Sequence, residues 1–129
     1  MSFNKVMFSS ATDHWSTPKH VYEALDKEFH FDYDPCPLNS EIDNLGGDWG
    51  KINFVNPPYS DIKIWAYECH YHWLHMGQTV VMLIPSRTDT RWWHDWIMKA
   101  TEIRFIKGRL KFGGSKNSAP FPSCIVIFK

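Results

Sequence analysis

The sequence predicts an α/β domain built round a mostly parallel sheet, and three stretches carry that reading. Thr79-Val80-Val81-Met82-Leu83-Ile84 is a nearly continuous apolar run, the pattern of a strand buried on both faces of a parallel sheet. Just before it, Ile62, Trp65, Ala66, Cys69, Trp73 and Met76 recur at helical spacing, so one face of a helix packs on that sheet. Ahead of the helix, Ile52-Asn53-Phe54-Val55 is a short apolar strand. Strand, helix and strand in that order join parallel neighbours and bring both strand ends to one edge. With 129 residues the chain is one domain with room for a proper core.

Residues 1–14 are polar and unpatterned, a loose lead-in to a domain spanning 15–129. Trp15-Ser16-Thr17-Pro18 opens a helix, with Thr17 or Ser16 as N-cap and Pro18 in the first turn. Val21, Leu25 and Phe29 share one face of it, and it ends near His30. Phe31-Asp32-Tyr33-Asp34 alternates as a strand does and Pro35 stops it, so Asp34 falls at its carboxyl end. Residues 38–51 form a polar loop containing glycines. Ser60 or Asp61 caps the next helix, which runs to about His75 before Gly77 terminates it. Asp89 is an N-cap for a helix over 90–99, with Trp92 or Trp93, Trp96 and Ile97 facing the core. Glu102–Lys107 reads as a strand, Gly108 as a turn, Arg109–Phe112 as a second short strand and Ser123–Phe128 as a last apolar one.

Apolar residues make up 43% and aromatics 16%, which excludes a disordered chain. Cys36, Cys69 and Cys124 are odd in number and lack CxxC spacing, the usage of unbridged thiols in a reducing cytosol. Residues 1–10 lack the regions of a signal peptide and no apolar run approaches membrane-spanning length, so the expectation is a soluble, intracellular protein. Cys69, His70, His72 and His75 lack established zinc-ligand spacing apart from the i, i+3 pair His72 and His75. Solvated histidines beside a core cysteine account for them, and no metal is expected. Net charge is zero, yet from Ile103 onward there is no acid and six basic residues. The acids crowd between Asp26 and Asp48. A basic end can track phosphates and an acidic middle suits a cationic cofactor, although a plain solvated surface explains the asymmetry equally well.

The chemistry concentrates in Asn56-Pro57-Pro58-Tyr59, straight after the strand 52–55. Two prolines stiffen the backbone and remove two N–H donors. At the carboxyl edge of an open α/β sheet, where ligands bind, the result is a rigid corner rich in acceptors with an aromatic face beside it. Such a corner suits the exocyclic amino group of adenine or cytosine, whose lone pair is delocalised into the ring. The Asn56 side-chain oxygen and the Pro57 carbonyl can grip its hydrogens, pull the nitrogen toward tetrahedral geometry and stabilise the positive charge that develops as it attacks a methyl donor. Tyr59 can stack on the base. The competing reading is a Pro-Pro turn that merely ends a strand, but an acceptor-Pro-Pro-aromatic tetrad arises by chance in well under ~1 in 100 chains this long.

The tetrad resembles the signature of amino-methyltransferases that use S-adenosylmethionine, and the chain is similar to one branch of them, the small phage DNA adenine (N6) methyltransferases of the Dam-like class. Trp15-Ser16-Thr17-Pro18, Asp34-Pro35-Cys36-Pro37, the tetrad, Pro85-Ser86-Arg87-Thr88-Asp89-Thr90, Gly108-Arg109-Leu110-Lys111-Phe112 and Ala119-Pro120-Phe121-Pro122-Ser123 occur in family order and cover about residues 13–128. The resemblance implies a minimal Rossmann-like methyltransferase with an antiparallel C-terminal edge. It implies S-adenosyl-L-methionine as cofactor, double-stranded DNA as partner, and a phage-encoded enzyme at work in the bacterial cytoplasm. Asn56, Pro57, Pro58 and Tyr59 are then catalytic. Trp15, Thr17 and Pro18 lie at the methionine end of the cofactor, and Asp34, Pro35 and Cys36 form its loop. A ribose-binding acid is expected among Glu41, Asp43 and Asp48, and the sequence does not choose. Arg87, Arg109, Lys111, Lys116 and Phe121 are the expected DNA contacts, with the 113–121 loop as contact or lid.

One departure from the wider pattern stands out: no glycine follows Asp34 until Gly46, as in the glycine-poor Asp-x-Cys turn of the phage branch. Cytosine N4, an RNA base or a protein amide are alternative acceptors for the same tetrad. A nucleic-acid module with a decayed cofactor site and a histidine-cysteine metal protein are the alternatives outside that chemistry. No separate recognition domain fits in the chain, so target specificity is relaxed or borrowed from an oligomer or partner.

Overall fold

The computed structural model describes residues 15–37, 45–113 and 117–129; the lead-in 1–14 lies outside them. Four strands, β1 (Ile52–Val55), β2 (Thr79–Pro85), β3 (Glu102–Phe105) and β4 (Ser123–Phe128), form one mixed sheet in the order β1-β2-β4-β3. β1 and β2 pair in parallel, with Ile52 opposite Thr79. β4 is antiparallel to both its neighbours, setting Phe128 opposite Val80 and Ile127 opposite Glu102.

The sheet thus departs from the mostly parallel one expected, because the C-terminal strand is not an edge. It slots between β2 and β3. Every residue of β4 is buried, and a strand apolar on both faces gains most from an interior position. β3, with Glu102 and Arg104, is only partly buried and takes the rim, where charge blunts an open edge. Beyond β1, the strand expected at 31–34 reduces to a parallel bridge between Tyr33 and Asn53. Asp32 N–H donates to the Ile52 carbonyl at 2.9 Å and Phe54 N–H to the Tyr33 carbonyl at 3.1 Å. Arg109–Phe112 is not a strand, yet its alternation survives: Leu110 and Phe112 are buried while Arg109 and Lys111 face out.

Helix α1 spans Lys19–Phe29, with Pro18 rather than Thr17 or Ser16 at the cap position and no side-chain cap bond. His30 closes it in the left-handed region, returning its N–H to the Asp26 carbonyl. Helix α2 spans Ile62–Met76 and ends at Gly77, whose φ of 67° suits a residue without Cβ. Helix α3 is short, Arg91–Asp95, and Thr90 caps it instead of Asp89. The Thr90 hydroxyl accepts the Trp93 N–H at 3.3 Å and donates to the Arg87 carbonyl at 2.7 Å.

Alternation along β2 divides the core in two. Val80, Met82 and Ile84 face α2 and α3, packing with Trp65, Ala66, Cys69, Trp93 and Ile97. Val81 and Leu83 face α1 and the 110–121 segment, packing with Leu25, Phe54, Leu110, Phe112 and Phe121. Two expectations for α2 fail: Met76 is exposed, and His70 and His72 are buried rather than solvated. His72 stacks flat on Trp49 at 3.8 Å and pairs its Nδ1 with Gln78 Oε1 at 2.8 Å. His70 sits among Trp73, Trp96 and Phe128, and burial lowers its pKa below the ordinary histidine value. Among the described residues no group of three His, Cys, Asp or Glu gathers to hold a metal ion. All three cysteines are buried without a disulfide, and burial pushes the Cys124 thiol up to about 11. Among the described residues no helix is long and apolar enough to cross a membrane.

Candidate active site

The chain leaves the sheet at the carboxyl end of β1, where Asn56 and Pro57 are buried and Pro58 and Tyr59 half-buried. A 3-10 turn over Tyr59–Asp61 then starts α2, the Asp61 N–H donating to the Pro58 carbonyl at 3.1 Å. The prolines have no N–H to give to a sheet, which favours the chain leaving the ladder here.

The Asn56 side chain is held from across the chain. Its Nδ2 donates to the Trp15 carbonyl at 2.6 Å and to Thr17 Oγ1 at 2.9 Å. Thr17, expected to cap α1, spends its hydroxyl on Asn56 instead. The 15–17 segment is itself tied down. Gly113 N–H donates to the Ser16 carbonyl at 3.0 Å, and the Trp15 ring lies 5.7 Å from that of Phe112. A Cβ on Gly113 would stand 2.8 Å from Ser16 Oγ, so a larger residue here would push the Ser16 hydroxyl aside.

Tyr59 meets Phe121 edge-on at 5.1 Å and Phe112 at 6.5 Å. Its hydroxyl is buried and finds no hydrogen-bond partner among the described residues; what the residue exposes is therefore ring. Burial holds its phenol well above the ordinary tyrosine value, opposed slightly by the Arg87 charge nearby. The Ser86 N–H donates to the Pro122 carbonyl at 2.9 Å and the Ala119 N–H to the Leu110 carbonyl at 2.7 Å. Segments at 15–17, 56–59, 86–87, 110–113 and 119–122 thus converge on one end of the sheet.

A family profile described as DNA N-6-adenine-methyltransferase (Dam) matches residues 5–129. The chain belongs to the DNA N-6-adenine-methyltransferase (Dam) family. Methylation of adenine N6 in DNA is the activity of that family, and this chain is one of its enzymes. It is similar to the DNA N-6-adenine-methyltransferase of Haemophilus phage HP1 (strain HP1c1), 28% identical over 139 aligned positions that cover 93% of this chain and 80% of that protein. It is also 30% identical over 111 positions to the DNA N-6-adenine-methyltransferase of Escherichia phage T1, covering 76% of this chain and 46% of the longer T1 protein. No solved structure gives a significant match.

Of the residues that the Dam resemblance singles out, Trp15, Thr17, Asn56 and Tyr59 come together, with Pro18, Pro35 and Cys36 buried. Asp34 is exposed and its Oδ1 accepts the Cys36 N–H at 2.9 Å, closing the turn without glycine. Arg87, Arg109 and Lys111 are exposed. Phe121, expected to contact DNA, is instead buried against Tyr59. Lys116, Glu41 and Asp43 lie outside the described residues. Asp48 precedes the amino end of β1, away from Asn56, and lines a 420 Å³ cavity with Glu68, Tyr71 and His72. A second cavity, of 500 Å³, opens between α2 and α3 beside Ile64, Trp92 and Trp96.

Not every basic residue of the C-terminal end is available to phosphate. Arg104 holds Glu28 through two 2.7 Å bonds and Glu102 through a third of 2.7 Å, stapling α1 to β3. Sequence reasoning missed Phe112 as part of the site, and placed Gly113 only in the expected contact loop. The alternation of Leu110 and Phe112 with Arg109 and Lys111 was the available signal.

Proposed function

We propose that the chain transfers the methyl group of S-adenosylmethionine to N6 of an adenine flipped out of double-stranded DNA, with Asn56-Pro57-Pro58-Tyr59 as the clamp. A paired, stacked adenine hides its amino group, so the base must leave the duplex to reach the corner. The observation that carries the reading is the anchoring of Asn56 through both Nδ2 bonds. With nitrogen pinned on the 15–17 segment, the trigonal amide leaves Oδ1, itself buried in the fold, as the end that would accept from a base entering the corner. The turn after the prolines uses the Pro58 carbonyl, which leaves the Pro57 carbonyl for the second amino hydrogen. Two acceptors draw the amino nitrogen out of conjugation and meet the charge that grows on it in the transition state. Tyr59 offers a ring face to the base, braced by Phe112 and Phe121. Once alkylated, the nitrogen loses its proton readily, so no strong base is needed.

The donor S-adenosylmethionine, when bound, supplies an electrophilic methyl group. The residues suit it: α1 begins without a side-chain cap and without an acid in its first turn, which leaves its N–H groups for a carboxylate. Trp15, Thr17 and Pro18 flank that terminus, and Asp34, Pro35 and Cys36 line the neighbouring turn as the cofactor loop. Arg87, Arg109, Lys111 and Lys116 take phosphates, while Phe121 acts through Tyr59. The sheet is read as a reduced Rossmann-like methyltransferase core, in a phage-encoded enzyme of the bacterial cytoplasm.

Radiolabelled methyl transfer to duplex DNA with and without adenine tests the acceptor. Asn56→Ala should lower the rate on adenine-containing DNA by about 10²–10³, the effect of losing one transition-state contact. Label entering adenine-free DNA equally well would reassign the acceptor, and an undiminished Asn56→Ala enzyme would remove the clamp.

A further inference from the structure

We propose that Thr17 is a positioning residue for methyl transfer: the Trp15 carbonyl sets which end of the Asn56 amide faces the base, and the Thr17 hydroxyl, by accepting the second Nδ2 hydrogen, holds the amide in that setting. This rests on the clamp reading of Asn56. An asparagine amide has two ends of nearly the same shape and opposite chemistry. Turned over, it would meet the adenine amino group donor to donor and the clamp would fail. The Trp15 carbonyl can only accept, and it lies 2.6 Å from Nδ2. Two oxygens at that separation would repel, so this contact assigns the nitrogen. The second Nδ2 hydrogen goes to Thr17 Oγ1 at 2.9 Å. Asn56 is only 5% exposed, so water cannot readily replace that acceptor.

The local explanation of Thr17 fails independently. A threonine just before a helix usually caps it, but Pro18 holds the cap position of α1 and no side chain bonds the first turn. The hydroxyl reaches 39 residues along the chain instead. Ser16, between the two anchors, is clasped by Gly113, which keeps the 15–17 segment from drifting. Thr17 therefore acts on the chemical step through Asn56, over and above any contact its segment makes with the cofactor.

The test compares Thr17→Val, which keeps the shape and loses the acceptor, Thr17→Ser, which keeps the acceptor, and Thr17→Ala as a second acceptor-less variant should valine disturb folding. Single-turnover methyl transfer is measured at saturating S-adenosylmethionine and DNA, cofactor affinity by calorimetry, and folding by thermal melting. The expected result is a roughly tenfold slower transfer at saturation in the valine or alanine variant, beyond whatever change in cofactor affinity accompanies it, and a near-normal rate in the serine variant. The inference is overturned if the acceptor-less variants transfer at the normal rate. It is also overturned if their defect is one of cofactor affinity that saturation removes, or if serine is as slow as valine. Asn56→Ala, run alongside, separates the two readings: activity there removes the clamp itself, whereas an inactive Asn56→Ala beside a normal Thr17→Val removes only the role of Thr17.

Discussion

Tyr59→Phe removes one oxygen that is buried with no hydrogen-bond partner among the described residues. In the unfolded chain that hydroxyl is hydrated, so folding strips its water and returns nothing. Such an orphaned group costs about 1–3 kcal/mol. Taking the low end, Tyr59→Phe should stabilise the protein by ~1 kcal/mol, which for a chain of this size raises Tm by roughly 3–5 °C. The sign with pH follows from the same burial. The folded phenol sits above its ordinary value of 10.0, so the unfolded chain loses its proton first. That contribution is complete below about pH 10 and is lost as pH rises through the folded value. Cys124, pushed from 9.0 up to about 11, behaves alike from about pH 9, so the variant should shed only the tyrosine part of the alkaline loss. Thermal melts near neutral pH and above pH 10 read both effects. Methyl transfer should survive, because stacking uses the ring. A lower Tm, or a tenfold loss of transfer, would show that the hydroxyl has a partner and refute the reasoning.

Gly113→Ala puts a Cβ 2.8 Å from Ser16 Oγ. Transfer should fall several-fold with little change in Tm, and Ser16→Ala should recover part of it; a normal rate would detach the 15–17 segment from catalysis. Gly50→Ala is of another kind, its Cβ falling 2.7 Å from Tyr33 Cβ and onto the Asp32 carboxylate. A destabilisation of about 1–3 kcal/mol is expected in urea unfolding. The Arg104 bonds hold the Glu28 and Glu102 carboxyls below the usual range, so their contribution is present above pH ~4.5 and lost as pH falls through the lowered values. Arg104→Gln should flatten that acid limb, and urea midpoints across pH 3–7 that overlay the parent would exclude the staple.

Much of this architecture is legible from local pattern. The period of two and the apolar run at 79–84, the helical stripe ending at Gly77, and the continuous apolar strand 123–128 recur in the fold with small boundary changes. Each depends on residues close in the chain. The diproline corner is likewise local, since two successive missing N–H groups disfavour continuing a strand. Caps were less legible: Asp89 and Thr90 are both good N-caps, and only the geometry that lets Thr90 also reach the Arg87 carbonyl selects between them. His70 and His72 gave no hint of burial, because the ring that stacks on His72 comes from Trp49, far away in sequence.

The sequence by itself determined where the main helices and strands lie and where the diproline corner ends a strand, because periodicity and proline act on neighbouring residues. Only the tertiary structure decided that β4 sits between β2 and β3, that Thr17 serves Asn56 rather than its own helix, and that Phe121 braces Tyr59. Those outcomes turn on which buried surfaces and unsatisfied donors meet once the chain has closed. Partners 39 and 41 residues apart, such as Asn56 with Thr17 and with Trp15, leave no trace in spacing.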